Sequence, residues 1–315
     1  MSQTRGAACA LAIVTILVCP GVWAQDAKST GDAAGRMIIG LPDIKHNAKG
    51  TLTVQNGSLH FSRGKGKTDS TIPVNSIDNV FTGEEVTQAG GVPATIGKMA
   101  VPYGGGRVLS LLLRSKVDVL TIAYRDGNHG LHGAIFALPK GQAAVLLQSL
   151  TAAGAHVEAL GAGEAKPLQS AAATTGAKRT KLAATPIQIE RVEVGDIALP
   201  AEFRLAIYEY LVENVTKSGT FPKVYRSGDR EAEGVANLVT ARTQVEKYQA
   251  GSETKRELTT VGGFTKVDVA ETVSSKDGQV MVQKKLEGRV RFYGDNLHVT
   301  NDLAARIAKL LSASF

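Results

Sequence analysis

The chain has 315 residues, of which 43% are hydrophobic and 21% charged, and its formal net charge is +7. A chain of this length forms one large domain or two ordinary ones, and the hydrophobic fraction is sufficient for packed cores. The composition excludes a collagen-like protein, a coiled coil and a polytopic membrane protein.

The first 24 residues have the three parts of a secretory signal peptide. Arg5 provides the positive charge, residues 7–18 form an uncharged apolar run, and Val22 and Ala24 are the short side chains expected before a cleavage site. The run is too short for a membrane span, because Pro20 interrupts it. We therefore expect an exported protein, located in the periplasm or at the periphery of the outer membrane.

Both cysteines of the chain, Cys9 and Cys19, lie inside this leader. The expected mature chain has no thiol, which excludes disulfides, thiolate catalysis and cysteine-ligated zinc. A lipoprotein would use Cys19 as its lipidated residue, but Val18 and Pro20 are not the small residues that such processing favours. The mature protein is therefore expected to depend on its apolar cores for stability.

Composition divides the rest of the chain into four segments. Residues 25–36 are small and polar and predict a disordered lead-in, whereas residues 159–186 are rich in Ala, Gly and Thr and predict a linker. The remaining segments, residues 37–158 and 187–315, are patterned for secondary structure and predict two domains of α+β class.

The first of these domains has short, closely spaced strand patterns. Asn-Gly at positions 56–57 separates two alternating segments, residues 50–54 and 58–61, and predicts a β-hairpin. Four further segments have strand patterns: residues 70–74, 108–114, 118–124 and 131–138. One helix follows, with an apolar stripe from Ala143 to Leu150.

This arrangement resembles the PH/GRAM-type domains. The resemblance is carried by the apolar positions Leu52, Val54, Leu59, Phe61, Ile72, Val74, Ile77 and Val80. It implies a closed antiparallel barrel with one carboxy-terminal helix, serving as a binding or scaffolding module without chemistry of its own. Residues 83–103 are longer than the connections of such a barrel, and we expect them to form an exposed functional loop.

The second domain has the predicted order β-α-β-β-β-β-α. Strands are expected at residues 187–194, 221–226, 236–248, 265–273 and 280–293, and helices at residues 200–217 and after Asn301. Val267, Val269 and Val273 share one parity of their strand, so one face of the sheet is predicted to be buried. The pattern predicts an α/β sandwich, in which two helices cover one face of a mostly antiparallel sheet.

Residues 244–256 and the turns Gly262-Gly263 and Asp277-Gly278 resemble a family of uncharacterised bacterial envelope domains. The fold of that family is similar to the periplasmic part of the curli-secretion lipoprotein and to the amino-terminal domain of the Tol-system propeller protein. The family often has an Arg after its Ala-Gly-Ser turn, and this chain has Lys255 and Arg256 shortly after the same turn. The resemblance implies a role in envelope assembly or partner binding, without enzymatic activity.

Basic residues are the main candidates for binding. Six of them are candidate contacts for an anionic lipid or envelope polymer: Arg63, Lys65, Lys67, Arg107, Lys255 and Arg256. Four more lie along one predicted strand: Lys284, Lys285, Arg289 and Arg291. Alternatively, these charges only keep the surface solvated. Nucleic acid is not an expected partner, because an exported chain with 5% aromatic residues offers few rings for bases to stack on.

Three hypotheses of function follow. We expect a non-enzymatic binding or assembly component of the bacterial cell envelope, with no cofactor and no metal; its partner would be an envelope protein or an anionic envelope component. The first alternative is peripheral contact with a membrane or polymer through the first domain. The second is a hydrolase or metal enzyme at His129 and His132, with Asp126 beside them. Self-association through an exposed strand edge of the second domain is a further expectation.

Overall fold

A computed structural model describes residues 32–88, 114–157, 185–252, 263–290 and 297–315. The first half of the chain forms one antiparallel sheet in the order β4-β3-β2-β1-β7-β6-β5. Its strands are β1 (Ala33–Ile39), β2 (Ala48–Gln55), β3 (Ser58–Ser62), β4 (Ser70–Pro73), β5 (Ile77–Gln88), β6 (Arg114–Arg125) and β7 (Leu131–Pro139). Helix α1 (Gln142–Ala152) packs its buried residues Ala143, Leu146 and Leu150 against this sheet.

The hairpin at Asn56-Gly57 is confirmed. Both residues have positive φ, 51° and 69°, as the tight turns between antiparallel strands require. The turn places Leu52 opposite Phe61 and Val54 opposite Leu59 in the pairing of β2 with β3.

Two strands of this sheet lie where the sequence predicted no strand. β1 begins at Ala33, inside the expected lead-in, and β5 extends to Gln88, inside the expected loop of residues 83–103. β1, with the sequence AAGRMII, has no alternation of apolar and polar residues from which a strand could be predicted. At Gly35 a Cβ would lie 2.5 Å from the Leu138 side chain of β7. The rest of the expected loop, and residues 108–113, lie outside the described residues.

The predicted closed barrel is not shown. β4 and β5 lie at opposite ends of the strand order, and the described strands form an open sheet. The short 3-10 turn Val74–Ser76 connects β4 to β5 in the chain, but no hydrogen-bonded ladder joins these two strands.

The second half forms a sheet in the order β12-β11-β10-β8-β9. Its elements are β8 (Ile187–Ile189), α2 (Ala201–Ser218), β9 (Val224–Arg226), α3 (Arg230–Glu233), β10 (Val239–Gln249), β11 (Thr265–Ser275), β12 (Val280–Val290) and α4 (His298–Ser314). β8 runs parallel to β9 and β10, and the other pairs are antiparallel. A mostly antiparallel sheet with two long helices is therefore confirmed.

The ends of the last helix and the short α3 differ from expectation. α4 begins at His298, three residues before the predicted cap Asn301. Thr300, in its first turn, is fully buried and donates its hydroxyl to the carbonyl of Leu297. α3 is a single turn that begins after Asp229, whose carboxylate accepts the N–H of Glu231 at 2.9 Å.

Helix α2 lies between the two sheets. It packs against α4 and the second sheet, and also against β6 and β7 of the first sheet. The larger of two extensive apolar clusters accordingly combines Ile39, Ala123 and Ile135 of the first half with residues of α2, α4 and the second sheet. The second cluster lies within the first half, beneath α1. Among the described residues these two clusters form the main cores, and the larger one is shared by both predicted domains.

None of the described helices combines the length and the apolar character that a membrane crossing requires.

Candidate functional site

A network of buried polar residues joins the two halves where α2 meets β7. Glu209 of α2 is only 4% exposed, and it pairs with Arg226, at the end of β9, through two hydrogen bonds of 2.8 and 2.9 Å. The backbone N–H of Gly133 donates to Glu209 at 2.7 Å, and Arg226 donates to the carbonyl of Leu131 at 2.8 Å. The pair therefore bridges β7 of the first half with α2 and β9 of the second.

The carboxylate of Glu209 keeps the buried Arg226 charged. Burial by itself would lower the pKa of Arg226, but the adjacent carboxylate of Glu209 outweighs this effect and raises it. A bidentate pair, in which an arginine donates two hydrogen bonds to one carboxylate, fixes the relative orientation of the two side chains. Because every oxygen of Glu209 accepts a hydrogen bond, we attribute to this pair the alignment of α2 on β7.

A second pair, Asp126 with His132, lies at the start of β7. Asp126 Oδ2 is 3.0 Å from His132 Nε2, and its Oδ1 accepts the backbone N–H groups of Asn128 and Gly130 at 2.9 and 2.8 Å. The ring of Tyr124 stacks on the imidazole with centroids 5.1 Å apart. The turn between β6 and β7 therefore holds His132 in one orientation.

The electrostatic surroundings determine which nitrogen of His132 carries the proton. Burial, and then the nearby charge of Arg226, lower the pKa of His132, so the ring is neutral. Although burial opposes it, the hydrogen bonds from His132, Gly130 and Asn128 lower the pKa of Asp126. A carboxylate can only accept, so the single ring proton lies on Nε2, and Nδ1 has a free lone pair. Nδ1 is buried and has no hydrogen-bond partner.

These residues form the floor of a groove of about 720 Å³ that is open to solvent. One wall is the segment of residues 39–46 that follows β1, and the other is the carboxy-terminal half of α2. His132, Glu209 and Arg226 lie between the walls. At the mouth, Glu213 pairs with Lys217 and lies 3.1 Å from His46 Nε2.

Gly40 fixes the wall that follows β1. Its φ is 107°, and a Cβ at this position would lie 1.6 Å from the carbonyl oxygen of Gly133. The Tyr124 hydroxyl donates to the Gly40 carbonyl at 3.3 Å. The segment therefore lies directly on β7, and its position is set by a residue that only glycine can supply.

The predicted basic residues that the structure describes do not line this groove. Arg63, Lys65 and Lys67 lie in the turn between β3 and β4, where Lys65 and Lys67 are exposed and Asp69 Oδ1 accepts the Arg63 N–H at 2.8 Å. Three of the candidates, Arg107, Lys255 and Arg256, lie outside the described residues.

The basic residues of β12 lie on a strand at the end of the second sheet. Lys284 and Lys285 are exposed, and Lys285 pairs with Glu246 at 2.7 Å. The guanidinium of Arg289 lies 3.9 Å from the centre of the Phe264 ring. Arg291 lies outside the described residues.

The two predicted histidines have different surroundings. His129 is exposed in the turn with a φ of 67°, and its carbonyl accepts a hydrogen bond from Arg125, whereas His132 is buried beside Asp126. The described part of the chain holds no group of three or more side chains suited to a metal ion. Of the predicted pair, only His132 contributes to the groove.

Sequence reasoning missed Glu209 and Arg226. Helical spacing predicts an apolar stripe of Phe203, Ile207, Tyr210 and Leu211 along α2. In the structure Tyr208 is fully buried instead, and Tyr210 is only half-buried. Because α2 packs between two sheets, it has no single buried stripe. The sequence did contain one signal of the buried ion pair. Glu209 lies between the apolar residues Tyr208 and Leu211, and a charge in an apolar segment requires a partner.

No known family and no curated protein matches the chain. Among solved structures, the PelC dodecamer from Paraburkholderia phytofirmans is similar at 12% identity, covering 42% of this chain and 91% of that one, with a TM-score of 0.32. A putative neuraminyllactose-binding hemagglutinin homolog from Helicobacter pylori is similar at 8% identity, covering 45% of this chain and 91% of that one, with a TM-score of 0.23. Similarities at this level identify no family for the chain.

Proposed function

We propose that this protein is a non-enzymatic binding or assembly component of the bacterial cell envelope, exported by its amino-terminal leader. The groove is the observation that carries the binding role. It has the volume of a ligand site, walls that combine apolar and charged side chains, and a floor of polar groups fixed by the bonds of Glu209 and Asp126.

The chemistry of the floor supports recognition rather than catalysis. Hydrolysis by an Asp-His pair needs a hydroxyl nucleophile or an activated water at the second ring nitrogen. Nδ1 of His132 has no such hydroxyl within hydrogen-bond distance among the described residues. Glu209 and Arg226 neutralise each other.

Photo-crosslinking in living cells tests the binding role. A photoreactive amino acid at Thr216, an exposed position in the groove wall, is expected to capture an envelope component, because a bound partner would cover this position. The matched control is Val145, which is partly exposed on α1 and does not line the groove. Identical products from both positions, or none from position 216, would contradict the proposal.

Mass spectrometry of fractionated cells tests export. We expect the periplasmic fraction to contain a chain that begins at Gln25, because Val22 and Ala24 fit a cleavage site. A chain that retains its leader and stays in the cytoplasm would contradict this part of the proposal and leave the groove unaffected.

Binding of an anionic lipid or polymer through the first half is a second candidate, favoured by the exposure of Lys65 and Lys67. The double variant K65E/K67E is expected to lose salt-sensitive retention on anionic vesicles, and K247E/K309E, at two other exposed lysines, to keep it. Equal retention of both variants, or none by the wild type, would contradict this candidate.

A further inference from the structure

The two edges of the second sheet have different surroundings. Next to β9 the first half covers the edge, because the Leu131 N–H donates to the carbonyl of Ser227 at 2.9 Å and Arg226 donates to the carbonyl of Leu131 at 2.8 Å. At the other edge lies β12, whose hydrogen-bonded ladder joins it to β11 and to no second strand among the described residues. The outer N–H and C=O groups of such an edge strand can form hydrogen bonds with a further strand.

β12 also carries apolar surface to this edge. The strand has 11 residues, and natural edge strands are often kept short because they pair with other chains. Val282 and Leu286 of β12 pack against the apolar cluster that the two halves share, but both are only half-buried, whereas Val269 of β11 is fully buried. The shared core therefore ends at β12 with part of its surface uncovered.

The charges of β12 restrict which strand can pair with it. Lys284 and Lys285 are exposed, and lysines on an edge deter arbitrary strands. Like charges directly opposite each other destabilise a ladder, whereas unlike charges stabilise it. A suitable partner therefore has an acidic residue opposite Lys285 and no cation opposite Lys284. β12 itself contains an exposed acidic residue, Glu287.

A second copy of β12 meets these conditions in an antiparallel register centred on Leu286. About a twofold axis, each contact occurs twice, with the two residues exchanged between the copies. If the axis passes through Leu286, Lys285 of each copy lies opposite Glu287 of the other. Lys284 then lies opposite Gly288, which has no side chain. If the axis is moved by one residue, either two copies of Lys285 or two copies of Glu287 lie opposite each other.

The same register matches the apolar side chains. Leu286 lies beside Leu286 of the second copy, and Val282 lies beside Val290, all on the face that the helices cover. Direct cross-strand pairs of apolar side chains stabilise a sheet. The half-buried side chains at this edge therefore gain apolar neighbours from an identical strand.

The opposite face of the sheet gains a network of alternating charges. Within one chain, Lys285 pairs with Glu246 at 2.7 Å, and Glu287 pairs with Lys266 at 3.0 Å. Pairing of Lys285 with Glu287 of the second copy links these two ion pairs across the junction. Networks of this kind contribute more than isolated surface pairs do.

We propose that two copies of this chain associate through β12, antiparallel and centred on Leu286, and so join their second sheets into one. This interface deepens the assembly role proposed above, because it names a second copy of the chain as the partner. It does not depend on the groove.

Charge reversal tests the register. By light scattering, the chain that begins at Gln25 is expected to have twice the mass of a single chain. K285E and E287K each create two like-charged pairs and should weaken association about tenfold or more, equal to about 1.4 kcal/mol. The double variant K285E/E287K restores unlike pairs and should associate more tightly than either single variant. R242E, at an exposed position of β10 away from this edge, is the matched control and should associate as the wild type does.

A single cysteine tests the centre of the interface. The chain that begins at Gln25 contains no cysteine, so an introduced thiol can pair only with its own copy in the purified protein. Directly opposite Cα atoms of an antiparallel ladder are about 4.5–5.5 Å apart, which suits a disulfide. L286C is therefore expected to form a covalent dimer on mild oxidation. Q283C, on the same strand, is the matched control, because its two copies would be about 20 Å apart.

Four results would overturn this interface. They are a monomeric wild type, association that neither K285E nor E287K weakens, a double variant no tighter than the single variants, and equal crosslinking of L286C and Q283C. A disulfide of L286C with a different protein in cells, together with a monomeric wild type, would assign the edge to another partner. If the monomeric chain still crosslinks from position 216, the proposed function stands without this interface; if that crosslink fails too, both fail.

Discussion

Glu271 is a buried acid on a face that is otherwise apolar. It lies on β11 between Val269 and Val273, is 0% exposed, and accepts the Thr243 hydroxyl at 2.7 Å through one oxygen, while its other oxygen has no partner. Burial raises the pKa of Glu271 from 4.5 to about 8. The folded protein therefore keeps a proton at neutral pH that the unfolded chain releases.

Replacement of Glu271 is expected to change the pH dependence of stability. Between pH 4.5 and pH 8 the wild type should lose up to about 1.4 kcal/mol of unfolding free energy per pH unit, because only the unfolded chain is ionised there. Below pH 4.5 Glu271 is protonated in both states, and the stability that its protonated form contributes is fully present. Above pH 8 it is ionised in both states, and the unfolding free energy falls no further. E271Q should remove this slope and be more stable than the wild type at pH 8.

Urea unfolding at pH 5 and pH 8 measures the effect. The control E233Q changes an exposed carboxylate of α3 and should retain the wild-type slope. If E271Q and E233Q show the same slope, the carboxyl of Glu271 does not titrate as described.

Gly40 is a residue whose replacement has a geometric consequence. G40A must place a Cβ on the carbonyl of Gly133 and adopt a φ of 107°, so we expect a loss of more than about 2 kcal/mol of unfolding free energy. G127A, where a Cβ meets nothing within 4 Å, should be nearly neutral. Thermal unfolding compares the two variants, and similar midpoints would show that residues 39–46 do not lie on β7 as described.

At the scale of elements, α2 depends on the ion pair that aligns it with β7 and β9. E209Q leaves Arg226 buried without its carboxylate and should cost about 3–5 kcal/mol. R226M should have a comparable effect, because it leaves Glu209 uncompensated. The double variant E209Q/R226M, with neither charge, should be more stable than the sum of the two single losses implies.

Denaturant unfolding of the two singles and the double measures this coupling. The control R306A/D302A removes an exposed pair on α4 and should cost less than about 1 kcal/mol. Strictly additive losses for Glu209 and Arg226 would show that they do not act as a pair.

Elements with strong local signals could be predicted from sequence, and elements defined by their neighbours could not. α2 was predicted at residues 200–217 and observed at Ala201–Ser218, because helical spacing and Gly219, at a φ of 62°, define its length. β1 was missed because its residues do not alternate between apolar and polar, and its pairing with β7, about 100 residues away in the chain, leaves no local pattern. The groove was missed for the same reason, since its two walls are far apart in sequence.

At the scale of the whole molecule, the two halves share a core. The face of β6 and β7 that carries Val119, Ala123 and Ile135 is covered by α2 from the other half. Backbone hydrogen bonds also cross the junction, from Leu131 to Ser227 at 2.9 Å and from Arg230 to Asn128 at 3.0 Å. The sequence indicates two domains. It does not indicate that α2 of the second covers the sheet of the first, because this depends on packing between residues far apart in the chain.

This shared core makes a prediction about separated halves. Residues 32–157 produced alone should expose the apolar face of β6 and β7, and residues 185–315 alone should expose the face of α2 that contains Leu205. We expect both pieces to aggregate or to bind a hydrophobic dye, without a cooperative unfolding transition.

The matched control is the complete chain with a protease site inserted at residue 170, in the expected linker. After cleavage its two pieces should elute together on gel filtration and unfold at one midpoint, because the shared cluster and the Glu209–Arg226 pair hold them without the covalent connection. Combining R226M with the cut should release the pieces at lower denaturant. If the separated halves instead each unfold cooperatively, then α2 is not required to cover the first sheet, and the groove would be a contact between two independent domains.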